Sequence, residues 1–160
     1  MHFTGKIAIA SDHAGFQLKE TLKKHLTALG YEYEDFGTDS EERSERTDFP
    51  EFAVLVAEAI LKENFERGIL ICGTGIGMCI AANKVPGIRA AVCYDIRTAK
   101  LSREHNNANI LALGGRIMNP ERAKKIVSVW LTTDFKCERY ERRNEKIKKI
   151  EEKYSAIKSP

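Results

Sequence analysis

The sequence predicts an α/β domain built on a parallel β-sheet, and three observations carry that expectation. Short β-rich runs alternate with longer segments of helical periodicity along the whole chain. Turn residues such as Gly30 and Pro86-Gly87 punctuate the alternation. A chain of 160 residues, 42% hydrophobic and 31% charged, suits one full core covered by helices. Parallel neighbours need crossover connections, so a βαβα order places helices on both faces of the sheet.

Lys6–Ala10 reads as the first strand, followed by Phe16, Leu18, Leu22, Leu26 and Leu29 at helical spacing and by Gly30 as the stop. Tyr31–Phe36 alternates in polarity as a second strand. A polar loop over 37–47 leads to a helix over Phe52–Lys62, with Asp48 and Pro50 near its start. Ile69–Cys72 is the third strand, Met78–Asn83 begins the third helix, and Pro86-Gly87 turns the chain into a fourth strand at Arg89–Cys93. Thr98–Glu104 and Ile110–Leu113 supply a helix and the fifth strand. Asn119-Pro120 starts a helix through Leu131, and a charged helix runs from about Glu138 to Tyr154. No repeat or linker divides the chain, so 1–160 is expected to be a single domain. In the last helix, about 138–157, Ile147, Ile150, Tyr154 and Ile157 form a narrow near-heptad stripe suited to packing on another helix. A homodimer would supply one.

The formal charge of +3 gives little support to a nucleic-acid or membrane partner but leaves room for a local anionic ligand. Cys72, Cys79, Cys93 and Cys137 form neither a C-x-x-C pair nor a His-flanked ligand spacing, which argues against a zinc site or a disulfide framework. Met1 to Lys6 lacks the apolar run of a signal peptide, and no segment approaches the ~18 apolar residues of a membrane span. Free thiols and a cytoplasmic location are expected.

Ligands of parallel sheets bind beyond the carboxyl ends of the strands. Four segments converge there: Ser11–Gly15, Cys72–Gly77, Tyr94-Asp95 and Gly114-Gly115-Arg116. In Cys72-Gly73-Thr74-Gly75-Ile76-Gly77, backbone amides and the following helix start suit an anion, although a merely structural tight turn has the same pattern. Met78 stands where a dinucleotide motif wants its third glycine, and no phosphate-loop lysine motif occurs. A thiol at this mouth is favoured as a thiolate, which can abstract a proton; the alternative is a small buried hydrophobe, the role assigned to Cys79, Cys93 and Cys137. Asp12 and His13 suit catalysis or substrate binding, and position alone equally allows Asp12 to be a helix cap. His105, next to Asn106 and Asn107, can transfer a proton near neutral pH or stand as an exposed loop residue. Arg139 and Arg143, four apart on one helical face, can clamp a phosphate or form a solvated charge run. His2 and His25 read as surface residues.

Asp12-His13-Ala14-Gly15-Phe16, Glu45–Pro50, Ile71–Gly77, Ala82-Asn83-Lys84, Gly87-Ile88-Arg89-Ala90 and Leu101–Asn106 resemble, in order, the signatures of ribose-5-phosphate isomerase type B. The wider family includes galactose-6-phosphate isomerase subunits. The resemblance implies a Rossmann-like fold without metal or organic cofactor, and the interconversion of ribose 5-phosphate and ribulose 5-phosphate, a reaction of the pentose phosphate pathway. It implies that Cys72 moves a proton between C2 and C1, while the Gly73–Gly77 loop, through Gly73, Gly75, Ile76 and Gly77, holds the enediolate oxygen. Thr74 would orient substrate, His105 would serve ring opening, and Asp12 and Asn106 would contact sugar hydroxyls. His13, Arg116, Arg139 and Arg143 correspond to the phosphate end, with the terminal-helix arginines reaching into the other subunit of a homodimer or of a dimer of dimers. Some members use a glutamate where this chain has Met78, so the chain resembles the cysteine-base branch. Phe49 stands where many relatives carry tyrosine, and the loop Thr38–Ser44 is longer than usual. Two other readings remain open: the same chemistry on a hexose 6-phosphate such as allose or galactose 6-phosphate, and a non-catalytic anion- or nucleotide-binding module using Asp95, twenty residues beyond Gly75.

Overall fold

A computed structural model of the chain describes residues 4–42, 48–62, 65–137 and 139–155. Strands β1 (Lys6–Ser11), β2 (Tyr33–Asp35), β3 (Phe65–Cys72), β4 (Ala90–Val92) and β5 (Ile110–Gly114) alternate with helices α1 (Phe16–Ala28), α2 (Phe49–Lys62), α3 (Ile76–Ala82), α4 (Ile96–Asn106) and α5 (Pro120–Thr132). A last helix, α6 (Arg139–Ser155), follows. All four strand pairings are parallel, in the order β2-β1-β3-β5-β4, which makes this the expected Rossmann-like sheet of five strands in one domain.

Side chains on a strand alternate between faces, and here the alternation sorts the core into two layers. Ile7, Ile9, Ile69, Ile71, Leu111 and Leu113 face α1, α4 and α5, whose Leu22, Leu26, Ala99, Ile126 and Trp130 cover them. Ala8, Ala10, Leu70, Cys72 and Ile110 face the other way, under Val56 and Ala57 of α2 and Met78 of α3. The smaller residues of the second layer let α2 lie close, and Gly68 completes the fit: a Cβ there would come within 2.7 Å of Val56. The helix starts follow their chemistry. Asp95 and Asn119 accept amide bonds from Thr98 and Glu121, and Pro120 begins α5 at the position where its missing N–H costs nothing.

The boundaries differ from expectation mainly in β3, which begins at Phe65 rather than Ile69. Arg67, a charged residue inside β3, lies buried because its guanidinium donates to the Trp130 carbonyl at 3.0 Å and also to that of Leu131. Arg67 and Arg103 both pack on the Trp130 ring, at 5.5 and 5.7 Å from its centroid. Burial, reinforced by the neighbouring Arg67 and Arg89 charges, pulls Arg103 down to about 10.

Strand order changes direction between β1 and β3: the chain leaves β1 toward one edge of the sheet and β3 toward the other. That divergence opens a crevice at their carboxyl ends. α6 contributes no buried residue; Ile147, Ile150 and Tyr154 of its apolar stripe are all exposed. Ile157, Glu138 and the loop residues 43–47 lie outside the described residues. Among the described residues no helix is long and apolar enough to cross a membrane.

Candidate active site

The carboxyl ends of β1, β3 and β5 meet in a mesh of backbone bonds. Asp12 donates its N–H to the Ile71 carbonyl at 3.3 Å; on the other side of β3, Gly115 donates to the Cys72 carbonyl at 2.7 Å and Arg116 to the Gly73 carbonyl at 3.0 Å. A trans peptide points its N–H opposite to its C=O. With the Cys72 and Gly73 carbonyls turned toward β5, the amides of Gly73 and Thr74 are turned back toward β1 and Asp12. Gly75 adopts φ 84°, ψ −18°, and its N–H donates to Cys72 Sγ at 3.2 Å. No other residue type fits at 75: besides the left-handed φ, a Cβ would lie 2.9 Å from the Leu113 backbone. The Thr74 side chain accepts from the Ile76 N–H at 3.3 Å, and α3 starts at Ile76. The loop thus presents amides and a helix start around a thiol that is 5% exposed.

Asp12 stands beside this loop and plays the capping role that position allowed: one carboxylate oxygen accepts from Gly15 N–H at 3.0 Å and begins the short turn His13–Gly15. Burial raises its pKa, against the Gly15 bond and the nearby charges of His13 and Arg116. His13, Asp12 and Arg116 therefore share one electrostatic neighbourhood. Arg116 is exposed, and its stem and guanidinium approach Gly73 so closely that a Cβ there would sit 3.5 Å from Cδ. The ring of Phe49, at the start of α2, lies over Gly77, where a Cβ would come within 2.9 Å of it.

His105, Asn106, Arg139 and Arg143 are not at this mouth. α4 leaves the carboxyl end of β4 at Ile96 and runs back for 11 residues, about 16 Å, to end beside the start of β5. There the His105 ring stacks on Tyr140, centroids 4.0 Å apart and planes inclined by 12°. Arg139 and Arg143 pack on the same Tyr140 ring at 4.9 and 5.7 Å, Arg139 donates to its hydroxyl at 2.8 Å, and the Asn144 amide donates to the His105 carbonyl. Asn106, the last residue of α4, is exposed beside this group. One chain therefore carries two separate clusters, one at each end of the sheet: Asp12, His13, Cys72–Gly77 and Arg116; and His105, Asn106, Arg139 and Arg143.

Two tyrosines carry contacts that the sequence pattern does not announce. Tyr140 organises the second cluster, and its place between Arg139 and Arg143 is the signal that could have marked it. Tyr94 donates its hydroxyl to the Thr74 carbonyl at 3.0 Å, a link across twenty residues with no local signature. Burial raises Cys79 and pushes Cys93 up to about 11, while Cys137 is exposed. Among the described residues no group of three or more His, Cys, Asp or Glu side chains is arranged to hold a metal ion.

The ribose/galactose isomerase family profile matches residues 7–147. A ribose-5-phosphate isomerase B of Escherichia coli is 48% identical over 92% of this chain and 97% of its own length. A D-erythrulose-4-phosphate isomerase of Pectobacterium atrosepticum is 46% identical over 81% of this chain and 84% of its own. The solved ribose-5-phosphate isomerase B of Clostridium thermocellum superposes with a TM-score of 0.89 at 51% identity, covering 93% of this chain and 99% of that one.

Proposed function

The chain belongs to the ribose/galactose isomerase family, and from that premise we propose that it interconverts ribose 5-phosphate and ribulose 5-phosphate with Cys72 as the base. The observation that carries the assignment is the Gly75 amide donating to Cys72 Sγ, in a loop whose Gly73 and Thr74 amides turn toward β1 and Asp12. Once the sugar ring is open, the thiolate takes the proton from C2 of the aldose and returns it to C1 while the hydroxyl proton passes from O2 to O1, so no net proton is gained or lost. The negative charge gathers meanwhile on the enediolate oxygen, where fixed amide donors stabilise it most. Asp12 has a second carboxylate oxygen beyond the one that caps the turn, and this contacts a sugar hydroxyl; His13 and Arg116 face the phosphate.

Ring opening falls to His105, which protonates the leaving ring oxygen as the anomeric hydroxyl gives up its proton and C1 becomes the carbonyl. Because His105 lies at the opposite end of its own sheet, the site requires two copies: the second cluster of one chain, His105 and Asn106 with Arg139 and Arg143, completes the first cluster of the other. The exposed stripe of α6 supplies an apolar surface for that pairing.

The deciding experiment is interconversion of the two pentose phosphates by purified wild type and Cys72→Ala in EDTA, with folding checked on both. We expect metal-independent activity and a loss of roughly 10²–10⁴ in the folded variant, the range of a general base; activity retained in Cys72→Ala removes the assignment. The Phe49 ring over Gly77 supports a second reading, a preference for another chain length, since it presents a hydrocarbon edge to the loop. The erythrulose-phosphate activity named for the 46% identical relative makes tetrose as well as hexose phosphates worth comparing by kcat/KM.

A further inference from the structure

We propose that Tyr94 is a positioning residue that selects the orientation of the Thr74–Gly75 peptide and thereby aims the Gly75 amide at the Cys72 sulfur. The proposal rests on the reading of Cys72 as the base. The two ends of a single peptide plane are involved: the Tyr94 hydroxyl donates to its carbonyl oxygen at 3.0 Å, and its N–H donates to Cys72 Sγ at 3.2 Å. A trans peptide is rigid and planar, so fixing one end fixes the other.

Why the plane needs fixing follows from the backbone. Gly75, at φ 84° and ψ −18°, has the conformation of the third residue of a type II turn. Turning the Thr74–Gly75 plane by about 180° converts such a turn to type I, with a negative φ at the glycine and the amide pointing away from the sulfur. Glycine populates both signs of φ with little steric cost, so residue type at 75 does not choose between the two. The Tyr94 bond does, because only the observed orientation presents the Thr74 carbonyl to it. Gly114 adds a lateral wall: a Cβ there would lie 2.8 Å from that carbonyl oxygen. Donation to a peptide carbonyl also polarises the N–H of the same unit, which strengthens it as a donor to a thiolate.

Tyr94 is 38% exposed and lies two residues past the end of β4, so removing its hydroxyl leaves the core intact. For Tyr94→Phe we expect kcat to fall roughly three- to tenfold, the scale of one neutral hydrogen bond, with KM within about twofold of wild type and an unchanged melting temperature. The readout specific to the sulfur is alkylation of Cys72 by iodoacetamide at neutral pH, followed by peptide mass spectrometry. It should slow by about twofold or more in Tyr94→Phe, because less of the sulfur is present as thiolate. Tyr94→Leu separates hydroxyl from ring: a defect seen in Leu but absent in Phe would mean that only packing is involved, and would overturn the proposal. Unchanged Cys72 alkylation in Tyr94→Phe overturns it too, whatever happens to kcat. Failure of the base reading is distinguishable, since it appears as activity retained in Cys72→Ala, while slowed alkylation in Tyr94→Phe still establishes the link from Tyr94 to the sulfur.

Discussion

The two ends of the sheet hold their functional groups by different means. At the carboxyl end, the loop from Cys72 to Gly75 is fixed almost wholly by backbone: the carbonyls of Cys72, Gly73, Thr74 and Gly75 accept bonds from Gly115, Arg116, Tyr94 and Cys79. At the amino end, the Tyr140 ring gathers His105, Arg139 and Arg143 by stacking, at the start of a helix with no buried residue. A backbone cradle is rigid in a single chain. Exposed arginines packed on a half-buried ring, on a helix with no buried residue, gain rigidity when something covers them, and in the proposed dimer the partner's crevice does so.

The sharpest way to break this comparison is to separate the two ends onto different chains. Cys72→Ala and His105→Asn should each be close to inactive alone. Refolded together at equal amounts, they should recover about a quarter of wild-type activity, because about half the dimers are mixed and each mixed dimer assembles one intact site. No recovery would show that the two clusters do not meet across chains. Next in size, Gly75→Ala should cost about two orders of magnitude in kcat and lower the melting temperature, since it loads both a left-handed φ and a 2.9 Å contact onto the cradle. Arg143→Ala tests the stacked end. Losing one charge-assisted contact should raise KM for the sugar phosphate roughly tenfold with little change in melting temperature; a fall in stability instead would assign Arg143 to the architecture of α6.

The same difference governs how much of the molecule is legible in its sequence. Period-two runs and the glycine loop are local, and local patterns suffice where backbone does the positioning: Ile69–Cys72, Gly75 and the α5 start at Asn119-Pro120 all stand where expected. The early half of β3 is hidden, because Arg67 looks like a loop residue until the carbonyls of Trp130 and Leu131 come into reach. His105 reads as part of a connection before a strand and lies in the last turn of α4, at the amino edge of β5. Grouping it with Cys72 requires a second chain, which no spacing within one chain can express. Tyr94 and Tyr140 act through contacts fixed only by tertiary structure. Asp12 offers two readings, cap and sugar ligand, and its capping bond does not use up the carboxylate.

That double duty leads to the smallest effect, one that separates function from stability. Burial raises the pKa of Asp12 in the fold, which means the folded state disfavours its carboxylate despite His13 and Arg116 nearby. For an acid whose pKa is raised, the cost to the fold is absent below the unfolded value of about 3.9 and develops as pH rises through the folded value. Asp12→Asn keeps an oxygen to accept the Gly15 N–H but carries no charge. The variant should therefore melt about 1–3 °C higher than wild type at pH 7, with the advantage shrinking as pH falls toward about 4, while its isomerase activity drops. A variant that melts lower at pH 7 would mean that the charge pairing with His13 and Arg116 outweighs burial, and would make the carboxylate part of the cradle's own stability.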